Sequence, residues 1–303
     1  MIKIQTITDL KEAEKLWRSL SPNQTIFDEW DFRYCFYKYN PNPLRFLAAY
    51  EGDGKDQKAI GLLPLARHPE YGLEFLAEDP CEENRPFISP GREDVIPALY
   101  GAIDDKAQLF DISGTDNFTG KMVLEDYKYV LPLGELSSFR SFLDSRLSPK
   151  RRKSLVKELT ESEKYGIVPI SVPPSERLEY LESLFRFNTA NFAADSYLLA
   201  DEQAPWRDLM RLPFDWHLIA LEIDGECRGV SLSVLHAGTW HYLITGVDFK
   251  RFRGLGKYLV KENIEAAIKA GAQIFDAGLG DCGWKNLWHL DQIPQYEFKK
   301  FVD

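Results

Sequence analysis

The sequence predicts a mixed α/β protein made of two tandem copies of one unit, each a mostly antiparallel central sheet flanked by helices. Three observations predict it. Residues 107–111 read Ala-Gln-Leu-Phe-Asp and residues 272–276 read Ala-Gln-Ile-Phe-Asp, 165 residues further on, about one domain length. Ahead of each copy lie two apolar runs parted by a Gly/Asp turn, the pattern of an antiparallel hairpin. An amphipathic stretch precedes each hairpin and another helical stretch precedes each repeated strand. On this reading residues 1–140 are one domain and residues 141–303 the other.

Taken in order, residues 10–20 place Leu10, Ala13, Leu16, Trp17 and Leu20 on one stripe, as a helix with a single buried face requires. The runs 44–50 and 59–66 flank the turn Glu51-Gly52-Asp53-Gly54 and predict the first hairpin. A helix over 93–103, the repeated strand and a closing strand over 127–133 complete the first copy. The junction falls at 133–149, with a helix starting at Glu135 and a proline break at Pro149. In the second copy, 175–187 carries Leu178, Leu181, Leu184 and Phe185 on one stripe, with Ser175 as the expected N-cap. Runs 217–223 and 229–235 flank Asp224-Gly225-Glu226. A strand over 241–249, a helix over 256–270 ended by Gly271, the repeated strand and a closing strand over 295–301 follow.

Composition narrows the function. Hydrophobic residues are 44% and charged residues 28% of 303, which fits a globular chain and excludes a disordered one. No apolar run approaches the roughly 20 residues of a membrane-spanning helix, and residues 1–10 lack the layout of a secretion signal, so a cytoplasmic protein is expected. Cys35, Cys81, Cys227 and Cys282 form no Cys-x-x-Cys pair and read as reduced thiols. The five histidines have no metal-ligand spacing, so no metal is expected. A net charge of −10 disfavours nucleic acid as a general partner.

The two copies differ at one place. Before its last helix the second reads Gly246-Val247-Asp248-Phe249-Lys250-Arg251-Phe252-Arg253-Gly254-Leu255-Gly256-Lys257. Glycines let the backbone approach a ligand, a helix start offers unpaired N–H groups, and Arg251, Arg253 and Lys257 add positive charge at the turn: together, a cradle for a phosphate or diphosphate. The first copy reads Arg85-Pro86-Phe87-Ile88-Ser89-Pro90-Gly91-Arg92-Glu93-Asp94, where prolines remove donors and two carboxylates stand where the anion would sit. The string is neither a Walker loop nor a dinucleotide fingerprint.

With this element order, Arg251-Phe252-Arg253-Gly254-Leu255-Gly256 resembles the Arg-x-x-Gly-x-Gly loop with which GNAT acyltransferases hold the diphosphate of acyl-CoA. Phe275-Asp276-Ala277-Gly278-Leu279-Gly280-Asp281-Cys282-Gly283-Trp284-Lys285 resembles a signature of a tandem-GNAT subfamily that includes CelD-like acetyltransferases and is related to Fem-type transferases. The basic run 149–154 resembles that group's second-domain start. The resemblance implies a working second domain and a degenerate first one without the cofactor loop. It implies an acyl-CoA-dependent N-acetyltransferase acting on a small polar amine, such as an amino sugar or amino acid, in polysaccharide or cell-envelope biosynthesis. Acetyl-CoA or another acyl-CoA would be the co-substrate.

The resemblance assigns cofactor binding to Thr245, Val247, Arg251, Arg253, Gly254, Leu255, Gly256 and Lys257, with the Val247 N–H polarising the thioester. Candidates for the base are His241, Asp248, Asp276 and Asp281. Histidine as a residue type has the ordinary pKa for proton transfer near neutrality, which suits His241. Asp276 has a twin, Asp111, in the copy without the loop, which favours a structural role and makes Asp281 the preferred carboxylate. Lys285 is a candidate to stabilise the intermediate or touch an anionic group. The family's thiolate-protonating tyrosine has no equivalent here. The mixed aromatic and polar stretch 185–206 (Phe187, Asn188, Asn191, Phe192, Asp195, Tyr197, Trp206) suits an acceptor pocket, with Trp284, Trp288 and His289 divided between site and core. Two alternatives stand: a Fem-type transferase using aminoacyl-tRNA, and a regulatory module that binds acyl-CoA without turnover. Acceptor, acyl-chain length and oligomeric state stay open.

Overall fold

The computed structural model describes residues 2–52, 57–114, 122–192, 198–199 and 202–301. Asp53 and Gly54 of the first hairpin turn, and Asp195 and Tyr197 of the acceptor stretch, lie outside the described residues. The chain forms two compact units, Met1–Lys128 with Ile293–Asp303, and Tyr129–Gln292. The expected division at 140/141 thus falls at 128/129 instead, and the last residues return to the first unit. A repeat boundary read from letters does not register which unit a closing strand pairs with.

The first unit begins with β1 (Lys3–Ile7), α1 (Leu10–Leu20), α2 (Trp30–Tyr37), β2 (Phe46–Glu51), β3 (Lys58–Leu63), β4 (Leu65–His68), β5 (Gly72–Phe75) and β6 (Phe87–Ile88). It continues through α3 (Val95–Gly101), β7 (Ala107–Ile112) and β8 (Met122–Pro132), whose last residues belong to the second unit. Strands β1, β2, β3 and β6 form a sheet. The amphipathic stripe of α1 buries Ala13, Leu16 and Trp17 against Phe46, Ala48, Leu62 and Phe87. The Trp17 ring meets Phe87 edge-on at 4.7 Å and its N–H donates to Asp28 O at 2.7 Å. Pro64, which has no N–H for a ladder, cuts the expected strand 59–66 into β3 and β4. β4 pairs antiparallel with β5, and β5 runs parallel to β7 with Leu73 opposite Ala107. On its other side β7 pairs with the last strand, β14 (Asp291–Lys300).

The second unit contains α4 (Phe139–Arg146), α5 (Pro149–Glu163), β9 (Val168–Ser171), α6 (Arg177–Phe192), α7 (Gln203–Leu209), β10 (Asp215–Ile223), β11 (Glu226–His236), β12 (Thr239–Val247), α8 (Leu255–Lys269) and β13 (Ile274–Leu279). Ser175 lies inside a 3-10 turn, Pro174–Glu176, ahead of α6 and not at its N-cap; the preceding prolines favour the tighter turn. The helix expected from Glu135 starts at Phe139, where Ser138 accepts from Ser141 N in a capping box. Gly271 follows α8 with φ +77°. Strands β9 to β12 are antiparallel neighbours in the order β9-β10-β11-β12, and β13 joins β12 in parallel. The face with Ser231, Ser233 and Trp240 packs on α8, whose buried Asn263 bonds all three. The opposite face carries α6: a Cβ on Gly246 would lie 2.3 Å from Leu184 O, so only glycine admits this approach.

Candidate functional site

The site starts at a parting of two strands. β12 and β13 pair only at Thr239–Ile274, Trp240–Phe275 and His241–Asp276. The pairing of β12 with β11 continues to Val247, past an extra residue at Leu243. The Asp248 N–H donates to Arg228 O on the β11 side at 2.8 Å. Alternation along a strand then points the N–H and C=O of Val247, and of Thr245, to the other edge, which β13 has left. Beyond His241, β12 therefore offers a row of backbone groups to whatever occupies that edge.

This edge runs into the start of α8. Gly254 is the N-cap, with φ +89°, a conformation that costs an L side chain about 1–2 kcal/mol. A Cβ there would also stand 2.2 Å from Ser162 Oγ of α5. Gly256 faces open space, with nothing within 4 Å of where its Cβ would be. No acidic residue occupies the first turn of this 15-residue helix, so its N–H groups and positive dipole end suit an anion. Leu255 is buried and anchors the turn. Arg251 and Arg253 are exposed, and the guanidiniums of Arg251 and Arg228 lie 5.5 and 5.6 Å from the Phe252 ring centroid. Lys257 is bonded to Glu158 of α5. Burial pushes Glu158 upward, but Lys257, Ser154 and Arg151 outweigh it and hold its carboxyl below its ordinary value. The positive charge expected from Lys257 is therefore partly neutralised.

In the first unit the corresponding places are filled. The Glu78 carboxylate accepts from Phe75 N of β5 at 3.0 Å and from Phe110 N of β7. The segment beyond it then lies along β7: Asn84 N donates to Asp111 O at 2.8 Å, and Ser113 N to Asn84 O at 2.9 Å. Buried Arg33 fixes this segment through Asn84 Oδ1 (2.7 Å) and the carbonyls of Leu76 and Glu83 (both 3.0 Å). The helix after it, α3, has seven residues with Asp94 at its N-cap and Pro97 in its first turn. Arg92 is turned onto Asp94 (3.0 Å) and Glu51 (2.8 Å). The carboxylates Glu93 and Asp94 were legible in the sequence; the plug by Glu78 was not, because it depends on where a loop returns.

The candidate catalytic residues separate by place. His241 and Asp276 face each other where the strands part, both buried, with His241 Nδ1 3.1 Å from Asp276 Oδ2. The other Asp276 oxygen accepts from Gly278 N at 3.0 Å. The structural role expected for Asp276 thus includes orienting His241. Asp281 accepts from Asn286 N at 2.8 Å and holds the turn after β13. Lys285 is buried, donates to Leu279 O, and lies over the Tyr129 ring at 5.6 Å. Asp248 lies at the loop, 3.8 Å from Arg228. In the acceptor stretch, Phe187, Asn188 and Trp206 are buried and Phe192 is exposed. Asn188 and Asn191 bond β12, donating to Thr245 O at 3.1 Å and Val247 O at 2.8 Å. Trp288 is core, stacked on Phe142 at 6.0 Å, and Trp284 meets Tyr242 edge-on at 6.5 Å. Sequence reading missed Glu158 and Ser162, whose contacts with the loop come from a helix about 95 residues upstream.

Residues 149–286 match the family model described as an acetyltransferase (GNAT) domain. Comparison with curated protein sequences gives no match. Among solved structures, the chain is similar to L-PGS from Bacillus licheniformis, at 14% identity and TM-score 0.61, covering 98% of this chain and 93% of that one. It is also similar to FemX (11%, TM-score 0.55, 99% and 97%) and to a tandem GNAT protein from the clavulanic acid biosynthesis pathway (12%, TM-score 0.54, 100% of both). At these identities the likeness is one of fold. Residues 149–286 are therefore a domain of the GNAT acetyltransferase superfamily, carried in a chain with the tandem GNAT-like fold.

Proposed function

We propose that the protein is an acyl-CoA-dependent N-acyltransferase whose single working site is in the second unit. The observation that carries this reading is the parting of β12 from β13 directly beside an open, glycine-led helix start. An elongated ligand with an acyl carbonyl near one end and a diphosphate further along fits that pair of features. The first-turn N–H groups of α8, with Arg251 and Arg253, would hold the diphosphate, and the outward backbone groups of Thr245 and Val247 would pair with the ligand's arm, whose acyl end would lie further back along β12 toward His241. In the reaction an acceptor amine attacks the thioester carbonyl, a C–N bond forms, the C–S bond breaks, and the thiolate leaves.

The amine must lose a proton, and His241 is the group we assign to accept it. The Asp276 carboxyl at Nδ1 orients the ring and favours the tautomer with its proton on that nitrogen. Asp281 and Lys285 support this reading indirectly, since the turn and the Leu279 carbonyl already occupy them. The acceptor class is a small polar amine, with an amino sugar or amino acid as the first choices, in polysaccharide or cell-envelope biosynthesis.

The test is release of CoA thiol from acetyl-CoA across a library of amino sugars and amino acids. We expect turnover with at least one amine, and about a hundredfold lower kcat for His241→Asn. Turnover unaffected by that substitution removes His241 from its role. A second reading is favoured by the exposed Lys150, Lys153 and Lys157 on α5: a Fem-type transfer from aminoacyl-tRNA. Aminoacyl transfer without acetyl-CoA turnover supports it. Acetyl-CoA binding without transfer to any amine supports a regulatory module.

A further inference from the structure

The start of α8 is built to receive an anion, yet a carboxylate of the protein already stands beside it. α8 has no acidic residue in its own first turn. α5 supplies one from outside: Glu158 Oε2 accepts from Nζ of Lys257, the third residue of α8. Helical side chains lean toward the helix N-terminus, which directs Lys257 toward the first-turn N–H groups. The other Glu158 oxygen is held from its own helix, accepting from Ser154 Oγ at 2.9 Å and from Arg151 Nη1 at 3.3 Å. One turn further on, the Ser162 hydroxyl is shared between Glu158 O (3.1 Å) and Arg253 O (3.4 Å), which ties this part of α5 to the loop. The carboxylate is thus a fixed part of the wall of the cradle.

We infer that Glu158 is an affinity-limiting residue: its carboxylate engages Lys257 and lowers the positive potential at the start of α8, so that a diphosphate there competes with it for the ammonium. Two cations and one anion leave Arg151, Glu158 and Lys257 a single net positive charge, and a neutral residue at 158 would leave two. This rests on the acyl-CoA reading above and gives it a consequence for turnover. Acyl-CoA and free CoA carry the same diphosphate, so contacts to that group bind substrate and product alike. A carboxylate in the wall weakens both and favours release of the product.

The test is the affinity of the wild type and of Glu158→Gln for acetyl-CoA and for CoA. Glu158 and Lys257 are both half-buried, and glutamine keeps the shape and an acceptor for Ser154. We expect Glu158→Gln to bind both ligands about fivefold more tightly at low salt. The gain should shrink between about 0.05 M and 0.5 M salt, as screening shortens the reach of the charge. Lys257→Met should cost more affinity in Glu158→Gln than in the wild type, because only there is the ammonium released to the ligand. Unchanged or weaker binding by Glu158→Gln, a gain insensitive to salt, or an equal cost of Lys257→Met in both backgrounds overturns the inference. Absence of acetyl-CoA binding in both the wild type and Glu158→Gln is a different result, which overturns the acyl-CoA reading itself.

Discussion

At the residue scale, the second unit uses its carboxylates to orient other groups and the first unit uses them to fill space. Asp276 holds His241 where two strands part; its repeat partner Asp111 has φ +54° and a carboxyl raised to about 7, first by burial and then by Glu125, Glu82 and Asp126 nearby. The unfolded chain ionises this group near 4. An acid raised in the folded state contributes stability below about pH 4 that is lost as pH rises toward 7. We therefore expect Asp111→Asn, whose side chain tolerates positive φ, to raise the melting temperature at pH 8 and to change it little at pH 4. Equal shifts at both pH values would show that Asp111 does not titrate in this range.

At the scale of elements, α8 and its entry loop were legible in the sequence because their signals are local. Glycine at 254 and 256, the flanking arginines and the helical periodicity all lie within a few residues. The structure gives the two glycines different duties. Gly254 is needed for conformation and for the approach of α5, whereas Gly256 keeps a surface open. We expect Gly254→Ala to cost about 1–3 kcal/mol in thermal unfolding. Gly256→Ala should be neutral or stabilising by up to about 1 kcal/mol, since a helix-interior glycine is the poorer residue there. Equal costs at the two positions would contradict this division. What the sequence left hidden at this scale was long-range: the parting of β12 from β13, the Glu158 partner of Lys257, and the two asparagines on β12 carbonyls. Each joins segments tens of residues apart, and no periodicity encodes such a meeting. Asn188 and Asn191 were visible as polar interruptions of a helix stripe, which pointed to a pocket lining and not to a backbone clamp.

At the scale of the whole molecule, the second unit has a parted strand pair beside an open helix start, and the first unit has the corresponding places filled. The repeat of helix, hairpin, helix and strand was readable because the apolar pattern survives wherever a core must be buried. The return of the last strand to the first unit was not, since 127–133 and 295–301 both read simply as strands and nothing in either names its neighbour. Among the described residues no helix is long and apolar enough to cross a membrane. The asymmetry of the units has a direct consequence for stoichiometry. Glu78, Asn84 and Arg33 occupy the first unit's strand gap, and Asp94 stands at the start of α3, so the proposed acyl-CoA reading requires one binding place per chain.

Calorimetric titration of the full chain with acetyl-CoA tests this most directly. We expect one equivalent bound per chain, abolished by Gly256→Glu, which places a carboxylate in open space at the first turn of α8 without a steric clash. Two equivalents, none, or one that survives Gly256→Glu would contradict the assignment of the site to the second unit.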